Sequence, residues 1–240
     1  MAAYSERGLH GRIVHTLGRR ILSGELKPGH VFDLAEVERD FGVSRTAVRE
    51  AMKVLAAKGL VDSRQKRGTF VRPRVDWNLL DADVIRWQFE GRGRRPFLDQ
   101  LAEVRAIVEP AGARLAALRR TDADLRALTD ALGAMEKASD DGLSMVEADL
   151  GFHRALLAAT HNELLTRMEM VIEAGLAERD RLVHSGRAED PLPSHRAVLD
   201  AVEAGDAAKA EDAMIALLAQ AQRDVDAHRR PRRDSKRRRA

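Results

Sequence analysis

The feature that most limits how this chain can fold is a change of periodicity near residue 75. On its C-terminal side apolar residues recur at helical spacing, and no run alternates as a half-buried strand would. The segments Val84–Phe89, Phe97–Arg119, Asp122–Lys137, Ser144–Ala159, Glu163–Arg181, His195–Ala204 and Ala207–Ala227 are rich in Ala and Leu and are broken by Gly, Pro or Asp. Helices that each carry one apolar stripe bury it by packing on one another, so an all-α bundle is predicted over 82–227. Pro110 falls inside the second of these segments and predicts a kink or a restart there. No fixed period recurs, which excludes a solenoid.

The N-terminal side reads differently. Ile13, Val14, Leu17, Ile21 and Leu22 give a first amphipathic helix, and the Lys27-Pro28-Gly29 turn follows it. Leu34–Phe41 is a short second helix stopped by Gly42, and Ser44 is an N-cap for a third helix that runs to about Lys58. Two short helices joined by a glycine turn make a helix-turn-helix. Leu60-Val61-Asp62 and Thr69-Phe70-Val71 are strand-like, and the polar stretch between them predicts a hairpin, a wing. The fold class is therefore mainly α: a winged helix-turn-helix over 8–74, with three helices and a small β-hairpin, then a linker at 75–81, then the helical bundle.

Charge divides the chain at the same place. Residues 1–74 hold 15 Lys/Arg against 8 Asp/Glu, residues 75–227 hold 18 against 29, and residues 228–240 hold 8 against 1. A basic N-terminal domain can meet phosphates, whereas the acidic bundle would be repelled by them. The terminal run 228–240 has no apolar surface to bury and reads as a disordered basic tail, serving solubility or sequence-independent DNA affinity. The chain has no cysteine. Disulfides, thiolate zinc fingers and cysteine nucleophiles are excluded, and metal ligands must come from His, Asp and Glu. No apolar run reaches the ~20 residues of a membrane helix, so a cytoplasmic protein without membrane contact is expected.

In Phe41-Gly42-Val43-Ser44-Arg45-Thr46-Ala47-Val48-Arg49-Glu50 the cap is followed at once by Arg45, Thr46 and Arg49. Amides at a helix N-terminus hold phosphate, and an arginine there can reach the O6/N7 edge of guanine with two hydrogen bonds. The wing tip, Arg64-Gln65-Lys66-Arg67-Gly68, groups three cations around a glycine suited to close approach. The helix motif, followed by Gly59-Leu60-Val61 and Gly68-Thr69-Phe70-Val71, resembles the winged helix of the GntR family of transcription regulators. That resemblance implies double-stranded operator DNA as partner, with contacts from Ser44, Arg45, Thr46, Arg49, Lys66, Arg67 and Gly68. The family often has an arginine near the start of the second helix, where this chain has Ala35.

In the bundle, Asp149 and His153 lie four residues apart on one predicted helix and so share a face. Such a pair can chelate a divalent metal, with His195 as a third ligand, or can simply hydrogen bond. Asp149-Leu150-Gly151-Phe152-His153 and His195-Arg196-Ala197-Val198 are similar to the ligand motifs of the FCD effector-binding domain. The resemblance implies a metal at Asp149, His153 and His195, with zinc expected and nickel or manganese as alternatives. It also implies a histidine on the last helix, where this chain has Leu217. Arg105 matches a family position that holds an effector carboxylate; its alternative partners are Glu109, four residues on, and Asp149. Residues 75–87 and 12–18 resemble the galactonate-operon repressors of the family, which implies a sugar acid or a related small carboxylate as effector. The reading is a homodimeric repressor released by that ligand. A metal-responsive regulator and a metalloenzyme on the helical domain are the alternatives. His161 and His184 carry no motif, and Asn162 reads as a helix cap.

Overall fold

The structure is a computed structural model that describes residues 8–90, 94–138, 142–170, 172–173 and 189–229. It divides into two compact units, 1–97 and 98–240. In the first unit, α1 (Leu9–Leu22), α2 (Leu34–Phe41) and α3 (Arg45–Ala57) stand where periodicity puts them. Asp33 caps α2 by accepting from the Ala35 amide at 2.9 Å. Gly42 ends it in the left-handed region at φ 63°, a conformation that favours glycine. Ile13, Leu17, Ile21, Val48 and Leu55 interdigitate in one core between the helices. β1 (Val61–Arg64) and β2 (Gly68–Val71) form the antiparallel wing, with Val61 opposite Val71 and Arg64 opposite Gly68. The connection from α1 to α2, which shows only a turn signal in sequence, adds to this sheet. Val31 bridges Phe70, the Phe32 amide donates to Thr69 O at 2.8 Å, and the Val71 amide donates to His30 O at 2.9 Å.

The segment 75–89 differs from the sequence reading, which places a linker at 75–81 and begins the bundle at 82. Trp77 and Trp87 both join the core of the first unit, so α4 (Ala82–Phe89) packs with the winged helix. The Trp87 ring lies against α1 at Gly18, where an added Cβ would stand 2.6 Å from Cε3 of the ring. Gly59, at φ +75°, leaves room for the backbone of Asp76, Trp77 and Asn78 to cross behind α3. The Trp77 indole donates to Arg72 O at 3.0 Å, and Asp81 caps α4 through the amides of Asp83 and Val84. Two large aromatic surfaces are buried here, and the helix that carries the second follows them.

In the second unit the chain continues along α5 (Arg94–Arg119), which runs through Pro110 without a restart. It is followed by α6 (Asp122–Lys137), α7 (Gly142–Ala158), α8 (Glu163–Arg167), α9 (Leu192–Ala204) and α10 (Ala207–Arg229). Thr121 and Asp124 form a reciprocal capping box on α6, and Asn162 caps α8 as expected. The core gathers Leu128, Leu132, Phe152, Leu156, Val202 and Met214 from α6, α7, α9 and α10. Among the described residues this unit contains helices and no strand. Helix α8 is shorter than the expected 163–181 segment, most of whose remainder lies outside the described residues. Helix α10 extends through Arg229, two residues into the expected tail, and 230–240 lie outside the described residues.

Gly18→Ala is expected to destabilise the protein by about 1–3 kcal/mol, because the overpacked Trp87 contact outweighs the ~1 kcal/mol that alanine gains over glycine inside a helix. Urea unfolding of the variant measures this; an unchanged or raised midpoint would show that Trp87 does not pack on α1.

Candidate functional site

In α3 the Ser44 hydroxyl accepts from the Ala47 amide at 3.3 Å, which fixes the start of the helix. Val48, Ala51, Met52 and Leu55 turn inward, so Arg45, Thr46 and Arg49 are left on the solvent face. The Arg45 side chain is 77% exposed and reaches Glu38 only at 3.9 Å, too loosely to be held from a phosphate or base edge. At the wing tip Lys66 (φ 67°) and Gly68 (φ 80°) both take left-handed backbone, which turns the strand sharply and presents Lys66 to solvent. Arg67 lies 3.6 Å over the Phe70 ring, a cation–π contact that orients the guanidinium, while Arg64 pairs with Asp62 at 3.1 Å. The first unit thus presents two basic elements, and Ala35 supplies no charge to either.

In the second unit α7 and α9 bring together the three candidate ligands. Asp149 Oδ1 lies 2.8 Å from His195 Nε2 and 3.5 Å from His153 Nε2, and the ligand atoms of this trio fall within 4.8 Å of one another. Both imidazoles are 1% exposed. His195 Nδ1 is 2.8 Å from the carbonyl of Pro191, which can only accept, so Nδ1 donates to it and Nε2 is the nitrogen turned to the site. His153 Nδ1 faces Glu109 Oε2 at 2.6 Å, which turns its Nε2 to the same point. Neither Nε2 has an aligned hydrogen bond. Two imidazole nitrogens, each ring oriented from behind, and a carboxylate oxygen are a donor set that fits zinc, nickel or manganese. Leu217, where the family resemblance implies a histidine, is packed into the apolar core instead.

Glu109 is the residue that motif reading undervalues. It enters the sequence analysis only as a partner for Arg105, yet it is fully buried and joins Arg105 to His153. Arg105 Nε donates to Glu109 Oε1 at 2.5 Å. Burial pushes the Glu109 carboxyl up, but Arg105 and His153 outweigh it and hold the group down at about 2. Burial pushes His153 down, and Glu109 and Asp149 outweigh that in turn, raising it to about 9. Asp149, despite burial, is kept well below the usual carboxylate range by the two histidines. The i+4 spacing of Glu109 to Arg105 is visible in the sequence, but the reach of Glu109 to His153 depends on how α5 packs on α7. The Arg105–Glu109 pair was one of the alternatives for Arg105. It leaves Nη2 of Arg105 buried with no hydrogen bond, and Arg105 also lines a cavity of about 470 Å³ between α5 and α10. That cavity is otherwise walled by apolar side chains such as Leu98, Leu101, Ile215 and Leu218, together with Asp99, Glu103 and Gln222. His161 pairs with Asp124 at 2.9 Å, bracing the α7–α8 turn on the start of α6, and His184 lies outside the described residues.

Comparison with known proteins agrees with both halves. Residues 9–71 match the family described as bacterial regulatory proteins, gntR family, and residues 100–220 match the FCD domain. The chain is 36% identical over 216 residues to the galactonate operon transcriptional repressor of Escherichia coli K12, covering 88% of this chain and 94% of that protein. It is 35% identical over 206 residues to the HTH-type transcriptional regulator LutR of Bacillus subtilis, covering 82% and 92%. Among solved structures, the Lar regulator of Listeria monocytogenes superposes with a TM-score of 0.65 at 20% identity, over 94% of this chain and 99% of that one, a likeness of fold. These relatives regulate transcription, which removes the metalloenzyme alternative. Among the described residues no helix is long and apolar enough to cross a membrane. A winged helix with an exposed Arg45–Arg49 face, followed by a helical domain with a converging Asp-His-His cluster, carries the marks of both families, and the chain belongs to the GntR family of DNA-binding transcription regulators, with an FCD domain behind its winged helix.

Proposed function

We propose that the chain is a homodimeric repressor whose hold on a two-fold operator is released by a small carboxylate bound in the FCD domain beside a divalent metal. Ser44, Arg45, Thr46 and Arg49 read the major groove, and Lys66, Arg67 and Gly68 follow the adjoining backbone or minor groove. Asp149, His153 and His195 hold the metal, zinc first among the candidates. A bound divalent cation would supply a Lewis-acid anchor for carboxylate or hydroxyl oxygens. The observation that carries the ligand-responsive reading is the convergence of His153 and His195 Nε2 on Asp149 Oδ1, at 3.5 and 2.8 Å, in a domain distinct from the DNA-binding unit.

The protein's own residues have separable tasks. Glu109 and the Pro191 carbonyl fix the imidazole orientations, and Arg105 offers an unused guanidinium nitrogen to an anion. The galactonate repressor among the relatives supports a sugar acid as that anion, with galactonate the first to test. Arg105 is the cation among the residues that line the α5–α10 cavity, beside Asp99, Glu103 and Gln222, so the carboxylate of such a ligand falls to Arg105. Ligand binding can lower operator affinity only through a difference in its affinity for two arrangements of the protein.

Arg45→Ala or Arg49→Ala should cost about 1–3 kcal/mol of operator affinity, and most of the discrimination over random DNA, in fluorescence anisotropy on DNA from upstream of the gene. Retained affinity and specificity would overturn the recognition-helix assignment. Glu109→Gln should weaken zinc binding by about 10–100-fold in calorimetric titration, since His153 loses the carboxylate that orients it; wild-type zinc affinity would remove Glu109 from the site. Arg105→Ala should leave operator binding intact and abolish release by galactonate. A wild-type response would refute the role of Arg105, and release by zinc alone would favour the metal-responsive reading.

A further inference from the structure

The wing carries an aromatic ring whose burial the core of the first unit does not explain. Phe70, in β2, is 3% exposed, yet it is not among the residues of that core, whereas its neighbour Val71 is. Successive residues of a strand point to opposite faces, so Val71 faces inward and the Phe70 ring lies on the outer face of the hairpin. Two cations lie over it. The guanidinium carbon of Arg67 stands 3.6 Å from the ring centroid and that of Arg64 stands 5.6 Å from it, while both side chains remain exposed. The turn between the strands brings the pair together, because the Arg67 amide donates to Arg64 O at 3.2 Å and Arg67 sits between the left-handed residues Lys66 and Gly68. Asp62, the cross-strand partner of Phe70, accepts from Arg64 Nε at 3.1 Å and holds that side chain from a second side.

Both arginines are within the ~6 Å over which a ring face attracts a cation. A guanidinium that lies on a ring covers its own flat face and keeps its N–H edge outward, and that edge is the one a phosphate or a base donates its oxygens to meet. An arginine at a hairpin tip without such a seat samples many rotamers. It gives up that freedom on binding, at a cost of about 2–10-fold in affinity for each side chain so ordered.

We propose that Phe70 is a positioning residue for DNA binding: its ring seats Arg67 and Arg64 with their N–H edges outward, and Arg64 thereby joins Arg67 as a DNA-contacting residue of the wing. This rests on the reading given above that the wing meets DNA. The ring itself touches no nucleotide; it acts through the two arginines.

The test measures affinity of the full chain, without effector, for a footprinted site from upstream of the gene. Phe70→Leu keeps an apolar side chain in the strand but removes the ring, and should weaken binding about 2–10-fold. Phe70→Tyr restores a ring and should bind within about 2-fold of the wild type. A double-mutant cycle separates positioning from structure: in an Arg64→Ala/Arg67→Ala background Phe70→Leu should cost less than about 2-fold, since the ring then has no cation to seat. An equal loss in both backgrounds would overturn the role of Phe70. Thermal melting reports whether Phe70→Leu is folded. If it is not, Arg67→Lys, which keeps the charge but cannot lie flat on the ring, should show the same loss of about 2–10-fold, and full affinity would overturn the proposal. Arg64→Ala alone should reduce the slope of log affinity against log salt by about 1, as loss of one phosphate contact does, and an unchanged slope would overturn the assignment of Arg64. Wild-type affinity in Arg64→Ala/Arg67→Ala would overturn the wing assignment and this proposal with it.

Discussion

Glu109 and Asp149 are carboxylates taken out of water in the middle of a helical bundle, and that placement is tolerable only because cations and imidazoles face them. The effective penalty for burying one such ion is several kcal/mol, more than a single neutral hydrogen bond returns. The chain meets it with a continuous row of groups, Arg105 to Glu109 to His153 to Asp149 to His195, drawn from α5, α7 and α9. Those helices are thereby held in one register. The same row turns two imidazole Nε2 atoms to one carboxylate oxygen, so the feature that fixes the bundle's packing also builds its candidate ligand site.

The DNA-binding unit meets a related problem at its far end. Lys58 is buried with Asp81 and Asp83, and two tryptophans are packed behind α3, one of them against a glycine of α1. The exposed faces of α3 and the wing carry Arg45, Arg49 and Lys66, whose side chains lie outside that core. Burial distinguishes the charges at the two ends of α3: Lys58 is enclosed, whereas Arg45 and Arg49 face solvent.

Much of this was legible beforehand because the signals were local. Helix periodicity, the Ser44 and Asn162 caps, the Gly42 stop and the hairpin are decided within a few residues, and each stands where the sequence puts it. Asp149 and His153 share a face by their spacing alone. The segment 75–89 was misread for the opposite reason: a proline, a change of charge sign and polar residues describe a linker, and they cannot say that Trp77 and Trp87 would find a core on the preceding domain. The strand-like pairing of residues 29–32 with the wing was hidden likewise, since four residues without alternation carry no strand signal.

The sequence by itself determined the class of the two domains, the candidate recognition helix and the candidate metal-ligating side chains, because period, caps and residue chemistry are properties of short stretches. Only the tertiary structure decided that His195 reaches Asp149, that Glu109 stands behind His153, and that α4 belongs with the winged helix. Each of these joins residues 23 to more than 40 positions apart or depends on which core receives a large aromatic ring, as the pairing of Lys58 with Asp81 across 23 positions shows. Distances of that kind are set by how helices pack, and no local pattern encodes them.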